Sequence, residues 1–143
     1  MEPWNEHSEK VSKQRSDTEK AKALLKMIAL REQRIPLMPL PVFTTLVAEE
    51  LYEIVKELIT GIMSVDGWKT TSHELLIGYL AKFYPEFNTA EVMLLDQLRE
   101  MRNDIAYRGV MINPEYLDRN KQAIHEAIHK LKDTLNKRIT KQR

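Results

Sequence analysis

The chain has 143 residues, 43% of them apolar and 30% charged, with a formal net charge of +1, the size and balance of one globular domain rather than a disordered chain. The absence of cysteine excludes disulfides, thiolate nucleophiles and cysteine-ligated metal, and fits a reducing compartment. No apolar run approaches the roughly 20 residues of a spanning helix, and the N-terminus Met1-Glu2-Pro3-Trp4-Asn5-Glu6-His7 has no apolar signal core, so the expectation is a cytoplasmic protein without membrane association.

Residues 1–15 are polar and aperiodic and are expected to form a disordered tail ahead of one helical bundle over 16–139. Ser16-x-x-Glu19 has the form of a capping box, with Leu24, Met27, Ile28 and Ile35 at helical spacing behind it. Pro36 stops this first helix, and Pro36, Pro39 and Pro41 stiffen an apolar connector from Leu37 to Phe43. In the second helix Val47, Leu51, Ile54, Val55, Leu58, Ile59 and Ile62 follow the i, i+3, i+4 rule, with Glu49, Glu50, Glu53, Lys56 and Glu57 on the other side. Ser64-Val65-Asp66-Gly67 is the turn that ends it.

Thr71-x-x-Glu74 reads as a second capping box, opening a short helix that Pro85 closes. Asn88-x-x-Glu91 caps a fourth helix, with Leu94, Leu98, Met101 and Ile105 as its apolar stripe and Gly109 as its C-terminal cap. Asn113-Pro114 starts the fifth, with Leu117, Ile124, Ile128, Leu131 and Leu135 inward. No segment sustains period-2 alternation, so no sheet is expected. The predicted fold is all-α, an up-and-down bundle of four to five helices. Residues 140–143 close the chain as a basic tail. Lys132, Lys137, Arg138, Lys141 and Arg143 oppose one acid, Asp133, a pattern that suits a solvated helix end complementing the macrodipole.

Four patterns bear on chemistry. His125-Glu126-Ala127-Ile128-His129 matches the H-E-x-x-H signature, in which two imidazoles one turn apart hold zinc and the glutamate activates water. Only 14 residues follow His129, Asp133 is the one available further ligand among them, and the helical register puts both histidines on the polar side of their helix. A zinc hydrolase is therefore the least favoured reading, with the motif expected to be two surface histidines and no metal or other cofactor. The isolated glycines Gly61, Gly67, Gly78 and Gly109 form neither a P-loop nor a dinucleotide fingerprint. His7 and His73 have no serine or acid at an interpretable spacing, so His73 is expected to be a local packing or hydrogen-bonding residue. Finally, Arg99, Arg102, Asn103 and Ala106 share one stripe at the end of the fourth helix, followed by Tyr107 and Arg108. Asp104 and Arg108 stand four apart in the favourable order for a helix pair. An arginine beside an apolar stripe needs a partner, so Arg102 is expected to face a cleft or a second subunit, where its guanidinium can clamp phosphate.

Over residues 42–135 the chain resembles the HEPN (higher eukaryotes and prokaryotes nucleotide-binding) family of all-α domains from prokaryotic toxin–antitoxin and defence systems. The resemblance is carried by the helix from Leu46 to Met63, the Gly67-Trp68-Lys69 turn, Thr71-Ser72-His73 at the next helix start, and Leu98-Arg99-Glu100-Met101-Arg102-Asn103-Asp104-Ile105-Ala106-Tyr107. It implies a symmetric homodimer in which paired arginine motifs meet in one cleft holding RNA or a nucleotide. It also implies a nucleotidyltransferase-type or antitoxin protein as partner; no DNA-specific motif is present. Arg102 and Asn103 match the start of the family's motif. After four, five or six intervening residues stand Tyr107, Arg108 and Gly109 where its histidine would fall. A phenol of ordinary pKa near 10 is a poor general base. The expected function is accordingly binding through Arg99, Arg102, Asn103, Tyr107 and Arg108 without efficient cleavage. A metal-independent ribonuclease using Arg102, Asp104 and Tyr107 is the alternative.

Overall fold

The computed structural model describes residues 1–141. Among them, five helices and one small antiparallel sheet follow in the order β1 (Val11–Lys13), α1 (Thr18–Arg34), α2 (Thr44–Asp66), β2 (Trp68–Thr70), α3 (His73–Phe83), α4 (Thr89–Arg108) and α5 (Pro114–Lys141). One 3-10 turn, Ile35–Leu37, carries the chain from α1 into the proline connector. No helix among the described residues is long and apolar enough to cross a membrane.

The core is organised around α2, which packs against α1, α3, α4 and α5. Its 23 residues make a rod about 35 Å long. Leu51, Ile54, Val55, Leu58, Ile59 and Ile62 are buried along it, each large apolar side chain contributing about 1.5–3 kcal/mol. From α5, Leu117, Ile124, Ile128, Leu131 and Leu135 close the core as their spacing predicts. Gly67 (φ 91°) and Gly109 (φ 64°) end α2 and α4 in the left-handed conformation that glycine adopts without a Cβ clash.

The caps differ from expectation at two starts and agree at two. Asp17, not Ser16, caps α1 by accepting from Lys20 N at 2.9 Å, while Ser16 donates to the Val65 carbonyl at 2.6 Å. Ser72, not Thr71, caps α3 by accepting from Leu75 N. Asn88 and Glu91 form the reciprocal box at α4, at 2.8 and 3.0 Å, and Asn113 accepts from Glu115 N at 2.9 Å before Pro114.

Two expectations about the chain ends are corrected. Residues 1–15 are not a free tail. Trp4 is 7% exposed and meets Trp68, Tyr79 and Phe83 edge-on, and the backbone at Glu2 and Trp4 lies so close to Gly78 that a Cβ there would overlap it. Val11–Lys13 then pairs with Trp68–Thr70 in the register Val11↔Thr70, Ser12↔Lys69, Lys13↔Trp68. Strands of three residues are too short to display period-2 alternation, so this sheet was not predicted. At the other end α5 continues through Lys141, so 140 and 141 are helical rather than tail, and residues 142–143 lie outside the described residues. Part of the basic excess there is neutralised: Lys132 binds Glu32 at 2.6 Å, and Arg138 grips Asp66 at 2.6 and 2.7 Å. Asp66 also accepts from Tyr79 and Tyr84, at 2.5 and 2.6 Å, tying α2, α3 and α5 together.

Candidate functional site

The α4 register decides what its last turns present. Its buried side chains are Val92, Leu95, Leu98 and Arg99, whereas Leu94, Met101 and Ile105 of the predicted stripe are only half-buried. The helix is thus rotated so that an arginine enters the interior. Arg99 is 5% exposed and is enclosed by carboxylates: Asp96 at 2.8 Å, Glu100 at 3.7 Å and Glu74 of α3 at 3.8 Å. Burial pulls its pKa down, but the Asp96 hydrogen bond and the surrounding charge outweigh this and raise it. Arg99 is thus compensated in charge, with one hydrogen bond, to Asp96.

One turn on, Arg102 is not. Its nearest acid is Glu53 of α2, at 3.6 Å from Nε, and Glu53 is already held by Lys56 at 2.6 Å. The Arg102 Nε is buried without a hydrogen-bond partner, as is the hydroxyl of Tyr52, and these are the two such side-chain atoms found among the described residues. Tyr52 adjoins Arg99, Glu53 and Arg102 electrostatically, and its burial pushes the phenol well above its ordinary value. A buried donor left unpaired costs about 1–3 kcal/mol.

A cleft of about 280 Å³ opens between α3 and α4, lined by Thr71, Ser72, His73, Glu74, Arg99, Arg102, Asn103 and Tyr107. Arg102 and Asn103 are half-buried and Tyr107, on the rim, is 79% exposed. The expected site residues Arg99, Arg102, Asn103 and Tyr107 therefore converge. Asp104 and Arg108 do not line the cleft; they pair with each other at 3.6 Å on the outer side of the helix. Every fourth residue shares a face, so the 104–108 pair stands apart from the 99–102–103 stripe.

The sequence reading missed His73 and Tyr52. His73 packs locally as expected, its ring 5.9 Å from that of Tyr52, and it also lines the same cleft as Arg102. Burial, then the charges of Lys56 and Arg102, lower its pKa, which favours the neutral imidazole. The available signal was the Thr71-Ser72-His73 start of α3; no sequence spacing connects it to Arg102, 29 positions away. Tyr52 sits on a helix whose neighbours are core residues and gives no separate signal.

The H-E-x-x-H triplet is exposed on α5. Glu126 accepts from Gln122 at 3.2 Å and His129 lies 3.5 Å from Asp133. Among the described residues no group of three or more His, Cys, Asp or Glu side chains is assembled that could hold a metal ion. Neither His129 nor Glu126 enters a cleft with the other, which a zinc-activated water would require.

The fold and cleft thus define a mostly helical bundle, with a small two-stranded sheet, carrying an under-satisfied arginine in a polar cleft. No family model, curated protein or solved structure matches this chain.

Proposed function

We propose that this protein is a HEPN-like helical homodimer of a prokaryotic toxin–antitoxin or defence-type system, working in the cytoplasm, that binds RNA or a nucleotide by phosphate in the Arg102 cleft. The observation that carries the reading is Arg102, whose Nε has no hydrogen-bond partner, lining one polar cleft with His73, Asn103 and Tyr107. A phosphate in the cleft would accept from the Arg102 guanidinium, with Asn103 and Tyr107 as neutral donors beside it, and a guanidinium suits phosphate better than an ammonium would. The dimer is supported by exposed apolar side chains that follow the end of α4 and flank the start of α2. Tyr107 on the cleft rim leads to Met111, 75% exposed, whose sulfur lies 3.9 Å from Thr45 next to exposed Leu46. A two-fold axis through such a patch would bring two clefts together. The antitoxin or nucleotidyltransferase-type partner rests on the resemblance alone.

Fluorescence anisotropy of a labelled single-stranded RNA, with and without Arg102→Ala, tests the reading. Loss of a hydrogen bond to a charged group is worth about 1.5–3 kcal/mol, or roughly tenfold to a hundredfold in affinity. An unchanged dissociation constant would sink it.

A second reading, a metal-independent ribonuclease, is favoured by His73. Asp104 lies outside the cleft, so the set Arg102, Asp104 and Tyr107 is not assembled, whereas a neutral imidazole stands within it. His73 would take the proton of a ribose 2′-hydroxyl as that oxygen bonds to phosphorus; the phosphorus bond to the 5′-oxygen then breaks, and the 5′-oxygen takes a proton from water. Arg102 would hold the phosphate meanwhile. Cleavage of labelled RNA in EDTA, abolished by His73→Gln with binding retained, is the expected result; intact RNA at high protein concentration rejects this second reading and leaves the first standing.

A further inference from the structure

We infer that a second cavity, far in character from the arginine cleft, is a binding site for a small amphiphilic anion, with an apolar body and a single anionic head. The cavity is a partly open cleft against the proline connector with a volume of about 410 Å³, within the range of small-molecule sites. Its walls are Ile35, Met38 and Leu40 from the connector, Val47 and Leu51 from α2, and Leu117 from α5. Val47, Leu51 and Leu117 belong to the buried core, so the floor is apolar and gives a water molecule nothing to bond to. Such a volume is better filled by hydrocarbon than by solvent.

The head is selected by the rim. The two polar side chains that line the cavity, Lys121 and His125, stand one turn apart on α5, and no carboxylate lines it. Further along α5, Lys130 and Lys132 are each held by an acid, Glu91 at 3.0 Å and Glu32 at 2.6 Å. Lys121 instead faces an apolar cavity. A carboxylate or sulfonate at the end of an apolar body would meet Lys121 and accept from the imidazole while its tail replaced the empty volume. A cationic amphiphile would be repelled, and a neutral one would gain the apolar term only. His125 thereby acquires a use that its place in an H-E-x-x-H string does not suggest.

The connector explains why the space is left open. Pro36 and Pro39 restrict the backbone between α1 and α2, so the segment arches over the α2–α5 groove instead of collapsing into it. Leu37 and Val42, 78% and 77% exposed, point away from the core on the same connector.

Calorimetric titration of the full chain with decanoate, decanol and decyltrimethylammonium, all below micelle formation, tests the proposal. One decanoate per chain is expected, bound about tenfold or more tightly than decanol, with the cationic amphiphile weakest. Lys121→Glu should remove the preference for decanoate and leave decanol binding unchanged. Leu40→Trp, which adds bulk from a partly exposed connector position, should weaken both. Arg102→Ala should change neither. Equal affinity for the three head groups, insensitivity to Leu40→Trp, or several ligands per chain would each overturn it. So would sedimentation showing that decanoate competes with self-association through this face, because the occupant would then be a second copy.

Discussion

Two arginine–glutamate sites on neighbouring stripes of α2 are built from the same residue types and do different things. At the first, buried Glu50 and Glu57 hold α1: Arg31 donates to Glu57 at 2.5 Å and to Glu50 at 3.0 Å, and Arg34 donates to Glu50 from Nε at 2.8 Å and again through Nη2. At the second, Glu53 meets Arg102 of α4 at 3.6 Å while Lys56 takes its better contact. Arg31 has its pKa raised, chiefly by the Glu57 hydrogen bond and despite burial. The first site is closed, with its donors used inside the protein. The second leaves the Arg102 Nε without a hydrogen-bond partner at the edge of a cleft, and that residual capacity distinguishes a binding group from a structural one.

Breaking the closed site should have the largest effect. Glu50→Ala removes the acceptor shared by Arg31 and Arg34, leaving Arg31 with Glu57 alone and returning the exposed Arg34 to solvent, and should cost about 1.5–3 kcal/mol in urea unfolding. A loss under about 1 kcal/mol would mean that the two sites are alike after all. Arg102→Ala should do the reverse, weakening RNA binding roughly tenfold or more while leaving unfolding within about 1 kcal/mol of the parent. Tyr52→Phe removes a buried hydroxyl that has no partner. It should be neutral or stabilising by up to about 1 kcal/mol; a clear destabilisation would show that the hydroxyl is satisfied within the fold.

The smallest effect is a pH dependence. The folded pKa of His73 lies below its ordinary 6.5, so between the two values the unfolded chain binds more protons. Stability from this group is present above about pH 6.5 and is lost as pH falls through the folded value, by less than about 1.4 kcal/mol per pH unit. Urea midpoints of the parent and His73→Gln, compared at pH 5 and 7.5, should converge at the higher pH and differ in slope below it. Identical slopes would place His73 in solvent rather than over Tyr52.

Much of the helical frame was legible because it depends on local patterns. Apolar spacing located α2 and α5, proline and glycine marked the ends of α1, α2 and α4, and Asn88 and Asn113 announced their caps. The Asp17 and Ser72 caps were displaced by one residue. In each case two adjacent residues offered a capping oxygen, and the choice followed the chain path: Ser16 was drawn to the Val65 carbonyl instead. The N-terminal segment was illegible for a different reason. Its order comes from Trp4 meeting rings on β2 and α3, together with a strand pairing across more than 50 positions, and neither leaves a periodic trace in residues 1–15.

The same division holds at the candidate site. The sequence alone determined that α4 would carry a polar stripe of Arg99, Arg102 and Asn103 ending in Tyr107, because residues three and four apart share a helix face. It could not decide which arginine would be free. Tertiary structure decided that by rotating Arg99 into a ring of three carboxylates, leaving Arg102 beside an already engaged Glu53, and bringing Tyr52 from α2 and His73 from α3 to the same place. Helix periodicity is local and is written in the chain; the pairing of a buried charge depends on which helix packs against which, and only the fold settles that.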